Sequence, residues 1–136
     1  MNDQPKPVPK DYWRYRVLVA EDDTQAAKLI KMVLDKLGFE QVDMAVDGNE
    51  AWDFVDNATQ PYHLIISDWN MLGITGLELL KNVRKRYPSL PFIMITGRGK
   101  LESAIEAKKN DVTWFINKPY GPRQLIEKID VIFDEK

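Results

Sequence analysis

The sequence predicts an α/β fold of the doubly wound kind, a five-stranded parallel sheet built as (βα)₅ with helices on both faces. Three observations predict it. Short runs rich in β-branched or aromatic residues recur five times along the chain. Each is followed by a stretch whose apolar residues repeat at helical spacing. Parallel strands need crossover connections, and such crossovers are right-handed and place their helices over the sheet.

The elements follow in order. The predicted strands are "RVLVA" (16–20), "QVDMAV" (41–46), "HLIIS" (63–67), "FIMIT" (92–96) and "TWFIN" (113–117). A helix after the first carries Ala26, Ile30, Val33 and Leu37 on one face, and one after the second carries Ala51, Trp52 and Val55. The third helix shows Leu79, Leu80 and Val83, the fourth Leu101, Ala104 and Ile105, and the fifth Leu125, Ile129, Ile132 and Phe133. Punctuation agrees: Asp23 or Thr24 can cap the first helix, Gly38 can end it, Asp47 can cap the second, and Pro88 stops the third. The unbroken apolar run "LII" before Ser67 suits a central strand covered on both faces.

Composition sets the outer limits. A chain of 136 residues is of single-domain size, and 44% hydrophobic with 29% charged residues is ordinary for a globular protein. No stretch approaches the roughly 18 apolar residues of a membrane span. "MNDQPKPVPK" has no apolar core of a secretory signal, and the absence of cysteine excludes disulfides and thiolate metal sites, so a cytoplasmic protein is expected. A net charge of -2 argues against direct nucleic-acid binding. Pro5, Pro7 and Pro9, interleaved with lysine, mark residues 1–10 as a mobile tail, leaving 11–136 as the domain. Tyr12, Trp13 and Tyr15 are too apolar for a linker and are expected to cover an edge or the underside of the domain, with a partner-docking patch as the alternative.

In open α/β sheets, chemistry gathers at the carboxyl ends of the strands, so what each strand ends on matters. The first ends at Glu21, Asp22 and Asp23, the third at Asp68, the fourth at Thr96, and the fifth at Lys118 followed by Pro119. Carboxylates converging there repel, by about 4 kcal/mol per pair at 4 Å and an effective dielectric of 20. Lys118 supplies one positive charge, and a divalent cation would supply the rest. With no cysteine and a single histidine, the ligands on offer are hard oxygens, which select Mg²⁺ or Mn²⁺ over zinc. A carboxylate beside such an ion, with a hydroxyl and an ammonium in reach, is equipped to accept a phosphoryl group. A single strand-end acid is accounted for by capping a helix and facing water, the plainer role that fits Asp23 and Glu21; the joint set is not.

"VLVAEDD", "ISDWNMLGITGLELL", "FIMITG" and "FINKPY" resemble, in order and spacing, the motifs of the receiver domain of two-component response regulators, in particular the stand-alone CheY-like chemotaxis type, over about residues 16–134. The resemblance implies the flavodoxin-like strand order 2-1-3-4-5. It implies Asp68 as phosphoacceptor, Asp22 as a direct Mg²⁺ ligand, Glu21 as holder of metal-bound water, and the carbonyl of Asn70 as a further ligand. Thr96 would supply the hydroxyl and Lys118 the ammonium that meet the phosphoryl group, with a cis bond from Lys118 to Pro119. Phe115 falls at the aromatic switch position, whose rotamer reports the state of Asp68 to the face made by the fourth helix, fifth strand and fifth helix. A histidine kinase as donor follows, as does a downstream target such as a flagellar motor or other output protein, with the chain a monomer or a phosphorylation-dependent dimer. Such a domain is a switch and not a turnover enzyme. Two rivals differ at identifiable positions: a haloacid-dehalogenase-like phosphohydrolase wants an acid where Asn70 stands, and a pseudo-receiver would lack the acidic pair, Asp68 or Lys118. The receiver reading holds equally for a free-standing chain and for a domain of a larger regulator.

The sequence departs from the chemotaxis pattern at three places. Phe115 replaces the usual tyrosine, removing a hydroxyl a partner could bond; Leu72 replaces a proline; and Arg98 stands where an acid is common. Other residues are expected to play plainer parts. Trp69 is expected to be partly exposed beside the site, and Trp52 and Trp114 to pack. His63 has no second ligand near it in sequence, and "RKRY" (84–87) and the lysines at 108 and 109 read as solvated helix ends.

Overall fold

The computed structural model describes residues 11–97 and 101–134, so residues 1–10 and Arg98 lie outside the described residues. A short 3-10 turn, Tyr12–Arg14, leads into β1 (Arg16–Ala20), α1 (Thr24–Leu37), β2 (Gln41–Ala45), α2 (Gly48–Asp56), β3 (Leu64–Asp68), α3 (Gly76–Arg86), β4 (Phe92–Thr96), α4 (Leu101–Lys109), β5 (Trp114–Asn117) and α5 (Pro122–Asp134). The five strands form one parallel sheet in the order β2-β1-β3-β4-β5. This is the doubly wound fold the alternation predicts.

Side chains alternate across a strand, and here both faces are apolar, which builds two cores. Val17, Val19, Leu64, Ile66, Ile93, Ile95 and Ile116 face α1 and α5, while Leu18, Ile65, Phe92 and Met94 face α2 and α3. The N-terminal aromatics close the first core. Tyr12 stacks on Phe39 with ring centres 4.5 Å apart and meets Phe133 edge-on, its hydroxyl donates to Asp130, and Tyr15 packs on Phe133. Trp13 stays exposed.

Local chemistry sets the helix ends. Asp23 caps α1, and Gly38 ends it in the left-handed region at φ 102°, which favours glycine. Asp47 caps α2 by accepting from the Glu50 N–H at 2.7 Å. Thr75 and Glu78 form a reciprocal capping box on α3, a device announced by the T-x-x-E spacing.

Three expectations need correcting. Leu101 and Ile105 of α4 are exposed, and Ser103 and Ala107 form its buried face instead. Arg84 is half-buried, not solvated: its guanidinium donates to the carbonyls of Asp111 (2.9 Å), Tyr87 (3.1 Å) and Leu90 (2.7 Å), tying the end of α3 to the turn before β5 and the entry to β4. Carbonyls at the ends of elements need donors, and a planar fork supplies several at a time; the Tyr87 carbonyl also accepts from the Leu90 N–H at 3.3 Å. Trp69 is only 4% exposed. Its N–H extends the β3 ladder to the Ile95 carbonyl (2.9 Å), and alternation from Asp68 turns the indole into the second core.

Candidate functional site

The sheet's register sets the site. Ala20 pairs with Ser67, and Thr96 pairs with Asn117, so Glu21, Asp68 and Lys118 come level at one rim. Backbone bonding runs one residue past three strands: Glu21 N–H donates to the Ala45 carbonyl (3.1 Å), Trp69 N–H to Ile95 (2.9 Å) and Lys118 N–H to Thr96 (2.7 Å). These bonds hold the functional backbone as rigidly as the sheet itself. Asp68 is the last residue of β3, one position further into the strand than its sequence pattern implies, and is 8% exposed.

Glu21, Asp22 and Asp68 each place a carboxylate oxygen within 4.8 Å of the others. Lys118 Nζ lies 3.3 Å from Glu21 Oε1 and 3.4 Å from Asp68 Oδ1. Glu21 is buried and Asp22 exposed, and the bond from Lys118 to Pro119 is cis. Burial, then the charge of Asp68, pushes the Glu21 carboxyl up to about 7, against the pull of the Asp23 N–H and Lys118. Burial also raises Asp68, opposed chiefly by Lys118. For Lys118, burial acts downward, but the neighbouring Asp68 and Glu21 outweigh it and the ammonium is favoured. Three carboxylates thus face one ammonium, an excess of negative charge that a hard divalent cation would offset.

Not every predicted residue joins this cluster. Thr96 is fully buried at the end of β4, and Asn70 is exposed in the turn after β3. Phe115, half-buried on β5, meets Trp69 edge-on with ring centres 6.4 Å apart. Two residues were not singled out in sequence. Gly76 packs so tightly that a Cβ there would lie 2.2 Å from the Asp68 carbonyl oxygen, while its N–H donates to Trp69 at 2.8 Å. Tyr120 is half-buried, and burial with the charges of Glu21 and Asp68 pushes its hydroxyl up to about 12. The spacing of Gly76 from Asp68 in "SDWNMLGITG" was the signal for the first; nothing marked the second.

An acidic triad and lysine at the carboxyl rim of a 2-1-3-4-5 sheet narrows the field, and the model of the response regulator receiver domain matches residues 17–130. The chain belongs to the response regulator receiver domain family. It is 40% identical over 119 residues to chemotaxis protein CheY1 of Helicobacter pylori, covering 86% of this chain and 95% of that one. It is 38% identical over 117 residues to a CheY homologue of Campylobacter jejuni, covering 85% and 89%. Among solved structures, chemotaxis response regulator CheY4 of Vibrio cholerae superposes with a TM-score of 0.78 at 30% identity, covering 87% of this chain and 98% of that one. This receiver domain is therefore of the CheY type and part of two-component signalling; such domains are signalling switches that bind Mg²⁺ in an acidic pocket. Among the described residues, no helix is long and apolar enough to cross a membrane.

Proposed function

We propose that residues 11–136 form a single switch domain that takes a phosphoryl group from a histidine kinase onto Asp68 with Mg²⁺, and that an output protein reads the result at the face of α4, β5 and α5. One observation carries this reading: the oxygens of Glu21, Asp22 and Asp68 converge within 4.8 Å, with the Lys118 ammonium against two of those residues. The donor set fits a hard cation, since it is all oxygen and carries more negative charge than Lys118 neutralises. Asp22, Asp68 and the Asn70 carbonyl would hold Mg²⁺, or Mn²⁺ as a substitute, with Glu21 bonded to its water, and the ion's charge would offset that of the transferring oxygens.

Asp68 attacks the phosphorus through a carboxylate oxygen. The bond from phosphorus to the donor imidazole nitrogen breaks, its electron pair stays on the ring, and Asp68 becomes an acyl phosphate. Lys118 moves its ammonium from Asp68 Oδ1 onto a phosphoryl oxygen, and the Thr96 hydroxyl donates to another. Thr96 and Phe115 lie on neighbouring strands with side chains on the same face of the sheet, because Met94 pairs with Phe115 in register. A turn of Thr96 toward the phosphoryl group therefore frees space into which the Phe115 ring swings, and the change reaches the output face. Incubation with Mg²⁺ and acetyl phosphate, followed by intact mass measurement, should show a gain of one phosphoryl group that Asp68→Asn lacks. Rapid multiple turnover of phosphomonoesters would point to a hydrolase instead, and no adduct under any condition to a pseudo-receiver.

A further inference from the structure

The end of the sheet opposite the acidic rim carries a concavity of about 480 Å³, lined in part by Phe54, Ala58 and Tyr62, with Asp43, Glu50 and Asp53 set around them. Among the described residues that line it, the one cation, Arg16, is already engaged: the guanidinium lies over the Tyr62 ring, 3.2 Å from Asp43 Oδ2, and donates to the Gln60 carbonyl. The lining is thus net acidic; Tyr62 is 7% exposed with its hydroxyl bonded to Asp43, so the open apolar surface comes from Phe54 and Ala58, and Asp53 stands exposed at the rim. Aromatic grooves of this kind recognise proline-rich segments, whose backbone needs little ordering to bind.

The chain carries such a segment where it can reach. "PKPVPK" at 5–10 alternates proline with Lys6, Val8 and Lys10, and so offers apolar rings and positive charge together. The described chain begins at Asp11, and the Trp13 carbonyl accepts from the Gln41 side chain at 2.9 Å, on the same β2 strand as Asp43 and two residues from it. Ten residues in polyproline geometry span about 31 Å, more than the few residue spacings between that anchor and the groove. Charge discriminates between this face and the others. The groove beside α1 sets Lys28 and Lys31 against Glu21 and Asp22, and α4, with Leu101 and Ile105 exposed, balances Glu102 and Glu106 with Lys108 and Lys109. Neither offers a basic tail the net negative charge found around Tyr62.

The geometry points to the N-terminal Pro-Lys segment of this same chain as the occupant of the groove around Tyr62. Tethering supplies an effective concentration in the millimolar range, so an interaction too weak to hold a free peptide is populated in the intact chain. The contact is electrostatic in part and weakens with salt.

The absence of cysteine makes the test clean. A nitroxide on Asn2→Cys in the full chain should broaden the amide signals of Asn57, Ala58 and Thr59 beyond those of α4 and α5. That broadening should be lost with Lys6→Glu combined with Lys10→Glu, and lost with Asp53→Lys; joining the two charge reversals should restore part of it. Broadening confined to the residues next to Asp11, or centred on the acidic rim or on α4, overturns the proposal. So does broadening seen only between molecules in a mixture of labelled and isotope-enriched chains, which would assign the groove to the tail of a second copy.

Discussion

Glu21 sits in an environment at odds with its charge. Its carboxyl is pushed up to about 7 from an ordinary 4.5, so in the metal-free protein the folded state holds a proton that the unfolded state releases. The sign follows: between about 4.5 and 7, rising pH favours the unfolded chain, and the stability present below that window is lost across it. Thermal melts in EDTA should fall through this range, and Glu21→Gln should flatten the fall; an equally steep loss in the variant would refute the assignment. Lys118→Ala leaves Asp68 in place but removes the donor proposed for the phosphoryl oxygens. Phosphorylation by acetyl phosphate should slow by about 100-fold, the order expected for one lost donor in a preorganised site.

At the scale of elements, Arg84 does for the junction of α3, β4 and β5 what capping residues do for single helices. Arg84→Ala removes three donated bonds to carbonyls and should cost about 2 to 3 kcal/mol in urea unfolding, and Arg84→Lys should recover only part of this, since an ammonium lacks the fork. Gly76→Ala forces β3 away from α3 at the Asp68 carbonyl, so it should lower both stability and the yield of phosphoprotein, whereas an ordinary helix-start substitution would leave the yield intact. Arg84 and Trp69 show where the sequence was silent. Strand alternation, helix periodicity and most caps were readable because each follows from spacing along the chain. The burial of Arg84 depends on carbonyls up to 27 positions away, and that of Trp69 on the bond from its N–H to Ile95, which holds it against the sheet one residue past β3 instead of in the turn. Asp68, Lys118 and the acid pair were legible because each sits at a strand end, and a parallel sheet brings strand ends together.

For the molecule as a whole, a cation that binds only the folded state stabilises it by mass action. At tenfold above its dissociation constant, Mg²⁺ should add about 1.4 kcal/mol, and the gain should vanish in Asp22→Asn. Thermal shift against Mg²⁺ concentration measures this directly. The two ends of the sheet divide the labour: acids and lysine collect at the carboxyl rim, while Tyr12, Phe39 and Phe133 seal the first core with aromatic contacts and the bond from the Tyr12 hydroxyl to Asp130.

Main-chain bonds from Glu21, Trp69 and Lys118 fix the rim without help from the side chains clustered there. Erasing the proposed nucleophile therefore spares the shape, and Asp68→Asn even relieves repulsion with Glu21. A cell making that inert copy alongside the intact one would carry a decoy, able to occupy upstream donors while passing nothing on, and the signalling defect should deepen with the dose of the decoy.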